Sequence, residues 1–425
     1  MNTNGDRRIF EFLDGMAGQG SPDYLDEILS RTARTRQRPG WTSIERWLHM
    51  DLSARRSVFS APIPWRPIAL LIALVLALVA FALAAGSRHA PAPPFGLARN
   101  GAIMVSRDGN IYAIDPATSV SSLAIGGDPF DFSPVFSRDG SKLMFMRSAS
   151  EPATDTPFLL SLMVANADGS GVRSLTDPLE DLAWFDWSPS GSQIAYVAEF
   201  GKMSVVNADG SGSRTLDVGR PAHFVTWLPP DGSEILFRGE RSNPSDPPPG
   251  IFAVRPDGSG VPRKISTKAP NNDDDYQSLT VSPDGSRVSF SRFSSSGSPS
   301  VVVLDVKTGE ETVLRTPDRT SQRGGGVFSP DGKLVAFSRI YADGAYQLVL
   351  APADGSTLGT VLGPRMVGDT EGTTYTFTPD GTAVIAGYGQ DDGRTSYRLP
   401  VDGSPSSVLS QRGRFSFTDI QRLAP

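Results

Sequence analysis

The chain has 425 residues, no cysteine, three histidines and a formal net charge of −6. Its length exceeds one ordinary compact core and indicates several domains or an array of repeats. The composition excludes disulfides, thiolate metal sites and a cysteine nucleophile, disfavours zinc or triad chemistry based on histidine, and argues against nucleic acid as the main partner. We predict a protein without a metal, a cofactor or catalytic residues.

Residues 1–66 predict short amphipathic helices. Ser21 and Pro22 are typical of the N-cap and first position of one helix, and "TSIE" (42–45) is a capping box that predicts the start of another. Helices this small bury little apolar surface alone. We therefore expect the segment to dock on the bilayer surface or on a cytoplasmic protein.

Residues 67–85 predict a single transmembrane helix, so membrane lipid is an expected partner. The stretch "PIALLIALVLALVAFALAA" has no charge, and a helix of its length spans roughly 29 Å, close to the thickness of a bilayer core. Arginines are more frequent before the span than after it: Arg46, Arg55, Arg56 and Arg66 precede it, and Arg88 and Arg99 follow. This bias predicts a single-pass protein of the cell membrane with a cytoplasmic N-terminus and an extracytoplasmic C-terminal part. Residues 86–99, which include "HAPAPPFG" (89–96), predict a stiff, Pro-rich spacer.

From residue 100 onward a ten-residue pattern recurs, as in "FSRDGSKLMF" from Phe136 and "FSPDGKLVAF" from Phe328. The copies align on a turn glycine: Gly140, Gly191, Gly232, Gly285, Gly332 and Gly381. Four positions earlier each copy has an apolar residue: Phe136, Trp187, Leu228, Val281, Phe328 and Phe377. Apolar residues also stand three and five positions after each glycine, and they share one face of a strand because side chains alternate. Each copy therefore predicts a hairpin with one packed face and a tight Asp-Gly turn.

A second hairpin follows each first one, as in "LMVANADGSGVRSLT" from Leu162. Its "NADGSG" (166–171 and 207–212) loosely resembles an EF-hand loop, but the acidic spacing and terminal glutamate of that motif are missing, so we interpret it as a turn. Two hairpins per unit of roughly 46 residues predict one four-stranded blade of a β-propeller.

The hairpin count predicts how the ring closes. Six complete first hairpins and seven second hairpins are present, and "GAIMVSRDG" supplies a single strand before the unmatched second hairpin (111–125). "RFSFTDIQ" (414–421) echoes "TYTFTPDG" (374–381) and predicts the missing strand, which would join the two ends of the ring. We predict an all-β, seven-bladed propeller over residues 100–425, closed by the C-terminal strand. Six blades with stray terminal strands is the alternative.

The recurring "SPDG", followed by an aliphatic-x-aromatic strand and an "ADG" hairpin, resembles the TolB-like, WD-type propeller repeat over about residues 100–422. The resemblance implies the propeller fold and a role as a binding platform, an envelope assembly factor or the cap of an oligopeptidase. The layout of cytoplasmic helices, one span and an external domain also resembles that of membrane-bound anti-sigma regulators of bacteria. The zinc motif of His and Cys that many of those regulators carry cannot exist without cysteine.

Candidate ligand-binding residues lie in the loops that lead into the innermost strand of each predicted blade, because these loops surround the axial mouth. Some loops are acidic and others basic, which suits a zwitterionic or peptide-like partner. The candidates are Asp128, Asp181, Trp184, His223, Asp273, Asp274, Asp275, Arg323, Arg365 and Arg414. The alternative is that these charges are solvated loop residues and that Trp184 and His223 pack against neighbouring loops.

The sequence leaves three functional hypotheses. The first is a non-catalytic, membrane-anchored binding or scaffold module for a protein, peptide or glycan. The second is an envelope sensor whose cytoplasmic helices regulate a transcription partner. The third is a propeller hydrolase or lyase that uses carboxylates of the mouth, although nothing in the sequence singles out a pair of them.

Overall fold

Seven four-stranded antiparallel sheets form a ring in the computed structural model of the chain. The structure describes residues 95–149, 159–241, 243, 245–246, 248–266, 275–294, 297–316, 321–366, 374–390, 393–410 and 418–424. The sheets lie in the unit Ala85–Pro425. The predicted cytoplasmic segment 1–66 and the predicted span 67–85 lie outside the described residues, among which no helix is long and apolar enough to cross a membrane.

The first blade combines the two ends of the propeller. From the innermost strand outward it contains β28 (Thr418–Leu423), β1 (Arg99–Arg107), β2 (Asn110–Ile114) and β3 (Ser121–Ile125). The seven-bladed ring and its closure by the C-terminal strand are thereby confirmed. Because β1 starts at Arg99, the end of the predicted spacer (86–99) already belongs to the propeller.

Each remaining blade uses four consecutive strands, of which the first in the chain is the innermost and the fourth the outermost. Blade 2 contains β4 (Phe130–Phe136), β5 (Lys142–Ser148), β6 (Leu160–Asn166) and β7 (Arg173–Ser174). Blade 3 contains β8 (Trp184–Trp187), β9 (Gln193–Ala198), β10 (Lys202–Asn207) and β11 (Arg214–Leu216). Blade 4 contains β12 (Ala222–Trp227), β13 (Ile235–Gly239), β14 (Gly250–Val254) and β15 (Arg263–Lys264).

The last three blades repeat this order. Blade 5 contains β16 (Asp275–Val281), β17 (Arg287–Ser294), β18 (Gly297–Asp305) and β19 (Glu311–Val313). Blade 6 contains β20 (Ser321–Phe328), β21 (Leu334–Ile340), β22 (Tyr346–Pro352) and β23 (Thr360–Met366). Blade 7 contains β24 (Thr374–Phe377), β25 (Ala383–Gln390), β26 (Gly393–Pro400) and β27 (Ser407–Ser410).

In the described part of the closing strand, the register differs by three residues from that of the predicted echo. The echo aligned Phe417 with Phe377, whereas Ile420 pairs with Ile103 as Phe377 pairs with Val384. Ile420 is 4% exposed and packs in one cluster with Ile385 of blade 7. Burial of this aliphatic side chain between the first and last blades therefore fixes the register. Residues 414–417 of the predicted strand lie outside the described residues.

The core consists of layers between neighbouring blades rather than one central cluster. Met144 of blade 2 packs with Trp187 of blade 3. Equivalent clusters lie between each of the remaining six pairs of neighbouring blades. Each sheet is therefore covered on both faces. In β5, Leu143, Met144 and Phe145 are each 0% exposed, so the prediction of hairpins with one packed face was wrong. Both faces are buried because each blade stands between two others.

Blade 4 corrects one further detail of the alignment. Trp227, rather than Leu228, pairs with Ile235, and its side chain is 2% exposed. The turn that follows is one residue longer than in the other copies and includes the cis peptide bond Pro229–Pro230.

The Asp-Gly pairs act as turns, as the sequence predicted. In "NADGSG" the carboxylate of Asp168 accepts hydrogen bonds from the Ser170 hydroxyl (2.6 Å) and N–H (2.9 Å). These bonds, the hydroxyl first, lower the pKa of Asp168. We call the equivalent residues the turn aspartates: Asp139, Asp168, Asp209, Asp231, Asp257, Asp284, Asp331, Asp354, Asp380 and Asp402. All of them have a lowered pKa.

Candidate functional site

A cavity of about 690 Å³ lies on the axis of the ring and is lined by residues of all seven innermost strands. Its two ends differ in the connections that surround them. The turn face carries the turns between the first and second strands of the blades, such as residues 137–141. The loop face carries the loops that lead into each innermost strand, such as residues 177–183. The polypeptide alternates between these faces because all strands in a blade are antiparallel.

One position of the innermost strand faces the cavity in every blade. It precedes the apolar residue that pairs with the second strand, and its side chains form what we call the channel ring: Val135, Asp186, Thr226, Thr280, Val327, Thr376 and Asp419. The ring is mostly apolar or hydroxylated and contains two carboxylates. Those two carboxylates are the groups of the channel ring that could act as a general acid or base. Their hydrogen bonds show whether they are free to exchange a proton with a ligand.

Asp186 joins blade 3 to blade 4. Its Oδ2 accepts hydrogen bonds from the Trp227 N–H (3.0 Å) and the Thr226 hydroxyl (2.8 Å). Arg138 of blade 2 lies 3.4 Å from its Oδ1. The carboxylate thus satisfies a backbone donor of the next innermost strand, which has no ladder partner on its channel side.

Asp419 has the same role at the seam of the ring. Its Oδ2 accepts the Phe136 N–H of blade 2 at 2.7 Å, and its Oδ1 accepts the Ile420 N–H at 2.8 Å. Burial raises the pKa of Asp419, against the opposing effect of these two hydrogen bonds. Two tryptophans bridge blades in the reverse direction: Trp187 Nε1 donates to the Val135 carbonyl (3.2 Å), and Trp227 Nε1 donates to the Asp186 carbonyl (3.1 Å).

The sequence did not identify Asp186 or Asp419 as special. Each precedes the apolar end of an innermost strand, in "FDW" and "TDI", while the other copies have Val or Thr there. That signal is readable only once the register of the copies is known.

The chain enters the ring on the turn face. Phe95 and Gly96 line the cavity there. Arg422 donates to the Gly96 carbonyl (2.6 Å), the Ala98 N–H donates to the Pro379 carbonyl (2.9 Å), and the Arg138 guanidinium lies 5.7 Å from the centre of the Phe95 ring. Desolvation and the nearby charge of Arg138 lower the pKa of Arg422. Residues 95–98 therefore contact the closing strand and the turns of blades 2 and 7 at the turn-face end of the channel.

The loop-face end carries an aromatic cluster, which we define as Trp184, His223 and Phe224. The Trp184 and His223 rings are 4.9 Å apart in an edge-on arrangement, and Trp184 and Phe224 are 4.7 Å apart. Trp184 and Phe224 also line the cavity. The structure thus brings together the two aromatic residues that the sequence singled out and adds Phe224, which lies in a bulge of β12 with a φ of 51°.

The remaining described candidates are spread around the ring. Asp128 and Asp181 are exposed in the loops before β4 and β8. Arg365 lies in β23, the outermost strand of blade 6, where it forms an ion pair with Asp343 and its guanidinium lies 4.2 Å from the centre of the Tyr341 ring. Arg365 therefore supports a hairpin at the rim of blade 6.

The other candidates are described in part or not at all. The backbone of Asp275 begins β16 and pairs with Phe293, and the backbone of Arg323 lies in β20 opposite Ser338. Asp273, Asp274 and Arg414 lie outside the described residues. Among the residues that are described, no three His, Asp or Glu side chains lie together in a way that would hold a metal ion.

Comparisons with known proteins show the fold. No protein-family model and no curated protein matches the chain. TolB from Acinetobacter baumannii is similar over 75% of this chain and 81% of its own, with 16% identity and a TM-score of 0.48. An oligogalacturonate lyase in complex with manganese is similar over 73% of this chain and 92% of its own, with 15% identity and a TM-score of 0.53.

A prolyl endopeptidase is similar over 77% of this chain and 50% of its own, with 14% identity and a TM-score of 0.53. At such identities these likenesses establish the β-propeller fold and nothing finer, and the two with the higher TM-scores carry that assignment. The class of the protein is thus a seven-bladed β-propeller, and TolB, whose repeats the sequence resembles, is among the similar structures.

Proposed function

We propose that the chain is a membrane-anchored, extracytoplasmic propeller that binds a protein, peptide or glycan without catalysing a reaction. The observation that carries the proposal is the use of the channel carboxylates. Asp186 and Asp419 each accept a backbone hydrogen bond from the neighbouring blade (3.0 and 2.7 Å). A general acid or base must exchange a proton with the substrate, and a carboxylate that holds two blades together is poorly placed to do so.

The loop-face end of the channel is the end that we propose for binding. Contacts of Phe95 and Ala98 lie at the turn-face end, whereas the aromatic cluster lies at the loop-face end. Aromatic side chains with a polar edge, such as Trp184 and His223, are enriched in binding sites because they combine apolar area with a hydrogen-bonding group.

Crosslinking in intact membranes tests the proposal. The full-length protein and a Trp184→Ala variant would be crosslinked, purified and compared for captured partners, with a Val261→Ala variant on the turn face as the control. We expect the wild type and the control to retain a partner that Trp184→Ala loses.

Turnover assays on the same preparations test the enzymatic alternative. The panel would contain peptides and oligosaccharides, including oligogalacturonate with manganese, because a similar structure is a lyase in complex with that metal. We expect no turnover. Turnover that disappears in a folded variant with one neutralised carboxylate would refute the non-catalytic function.

A further inference from the structure

An exposed phenylalanine stands at the tip of blade 3 on the loop face. Phe200 lies in the three-residue loop between β9 and β10, and 76% of its surface is exposed. All three loop residues have positive φ angles: 46° at Glu199, 61° at Phe200 and 97° at Gly201. Asn or Gly suits the first two positions far better than Glu or Phe, because a Cβ in this region approaches the backbone. Phe200 therefore buries little apolar surface within the fold and is accessible for contact with another molecule.

Positive φ angles cluster around this tip. Among the described residues, eight non-glycine residues have positive φ, and Asp181, Glu199 and Phe200 lie in this region. A fourth, Phe224, lies at the bulge of the innermost strand, where Ser133 of blade 2 and Ser278 of blade 5 also have positive φ. We call the region the blade 3–4 sector; it comprises the acidic loop (177–183), the hairpin loop 199–201 and the aromatic cluster. Strain of this kind persists only where surrounding contacts hold the backbone in place.

Hydrogen bonds within the sector and to the neighbouring blades hold its backbone in place. The Glu199 N–H donates to the Glu180 carbonyl (2.8 Å), and the Ala222 N–H donates to the Gly201 carbonyl (2.8 Å). On its other side the acidic loop pairs with blade 2, where Leu160 and Leu179 exchange backbone hydrogen bonds of 2.9 and 2.8 Å. The sector is thus pre-organised, which lowers the entropic cost of binding a partner.

The charge of the sector indicates the chemistry of a complementary partner. Its exposed carboxylates are Asp177, Glu180, Asp181 and Glu199, and of these Glu199 forms an ion pair with Lys202 at 2.8 Å. The acidic loop itself contains no basic residue. Two exposed apolar side chains flank this loop, Leu159 (49% exposed) before β6 and Phe200 at the hairpin tip. A surface of this composition complements a segment that carries cations between apolar side chains.

We infer that the blade 3–4 sector docks a peptide segment of a partner protein in which Lys or Arg alternates with apolar or aromatic residues. Phe200 and Leu159 supply apolar contacts, the carboxylates of the acidic loop bind the cations, and the aromatic cluster receives a side chain at the entrance of the axial cavity. The inference rests on the proposed binding function and specifies its site and the chemistry of its partner. A neutral glycan would leave the carboxylates of the acidic loop uncompensated, so the charge favours a basic peptide.

Selection of peptides from a random library displayed on phage, with the full-length protein in detergent as bait, tests this inference. We expect the enriched peptides to combine basic with apolar or aromatic residues and to bind less tightly as salt rises from about 50 to about 500 mM. Phe200→Asn removes the anchor but keeps a residue that tolerates positive φ, so the protein stays folded. We expect this variant, and separately the double variant Glu180→Gln with Asp181→Asn, to weaken the enriched peptides at least about tenfold.

Matched controls lie on the turn face. Val261 is an apolar side chain with 91% exposure, and Glu310 is an exposed acid in the hairpin between β18 and β19. Val261→Ala and Glu310→Gln should leave the affinity of the enriched peptides unchanged. Enriched peptides that bind Phe200→Asn as tightly as the wild type would overturn the inference and leave the proposed binding function standing. Binding of a glycan that depends on Phe200 would overturn the choice of a peptide. Capture of no peptide, protein or glycan by the wild type would refute the proposed function itself.

Discussion

Substitution of a turn glycine by alanine tests the closure of the ring. Gly140 has a φ of 69°, and a Cβ added there would overlap the carbonyl oxygen of Arg422 in the closing strand β28. Alanine in the left-handed region costs about 1–2 kcal/mol. Forcing a methyl group against packed backbone costs about 1–3 kcal/mol more. We therefore expect Gly140→Ala to lower the free energy of unfolding by about 2–5 kcal/mol.

Gly403→Ala is the matched control. Gly403 also follows an aspartate in a tight turn and has a φ of 80°, but nothing lies within 4 Å of an added Cβ. Its variant should lose only the left-handed cost of about 1–2 kcal/mol. Guanidinium denaturation of the full-length chain, followed by tryptophan fluorescence, measures both variants. Equal losses of stability would refute the reasoning, because they would mean that the closing strand does not pack against the turn of blade 2.

Three further predictions concern polar groups. Asp131 is 0% exposed and accepts two hydrogen bonds from Arg147 (2.7 and 2.9 Å), so Asp131→Asn should cost about 3 kcal/mol in denaturant melts. Lys333, whose side chain is 81% exposed, forms an ion pair with Asp331, and Lys333→Ala should cost less than about 1 kcal/mol. Trp187→Phe removes the indole bond to the Val135 carbonyl and should cost about 2 kcal/mol, with a loss below about 0.5 kcal/mol counting against that bridge between blades. The turn aspartates have lowered pKa values in the folded protein, so the folded state binds fewer protons than the unfolded state and the free energy of unfolding should fall as the pH drops below about 4. Asp419, whose pKa is raised, contributes with the opposite sign, and a curve that is flat or rising toward acid would contradict this balance.

The fold was predictable because the turn chemistry is local and repeats. Asp-Gly after an apolar residue predicts the same hairpin wherever it occurs, and the count of hairpins predicted seven blades with a shared first blade. What the sequence left open depends on distant parts of the chain. The register of the closing strand depends on the packing of Ile420 beside Ile385 of blade 7. The second packed face of β5 was signalled by Met144 between Leu143 and Phe145, an apolar run typical of strands buried on both sides.

The candidate site was predictable only in part for the same reason. Trp184 and His223 lie at the starts of β8 and β12, two consecutive innermost strands, rather than in the loops before them, and their contact follows from the order of the blades. Arg365 was assigned to a loop by its position between two hairpins, but β23 extends to Met366 and holds it against Asp343. Phe200 was missed because an aromatic residue next to glycine in a hairpin carries no sequence signal of exposure. Its positive φ is visible only in the structure.

Residues that differ between equivalent positions of the blades help to distinguish functional from structural roles. The turn aspartates recur from blade to blade, and each is bonded within its own turn, so they serve the fold. The size of the side chain three residues before the apolar end of the innermost strand differs between blades. Blades 2, 5, 6 and 7 have a small residue there, namely Ser133, Ser278, Gly325 and Thr374, whereas blades 3 and 4 have Trp184 and Phe224. The fold tolerates a small side chain at this position in four blades, so propeller geometry alone does not require two adjacent aromatic rings. Trp184 packs against the core between blades 3 and 4, and the two rings together with the strained tip of blade 3 support the proposed contact with a partner.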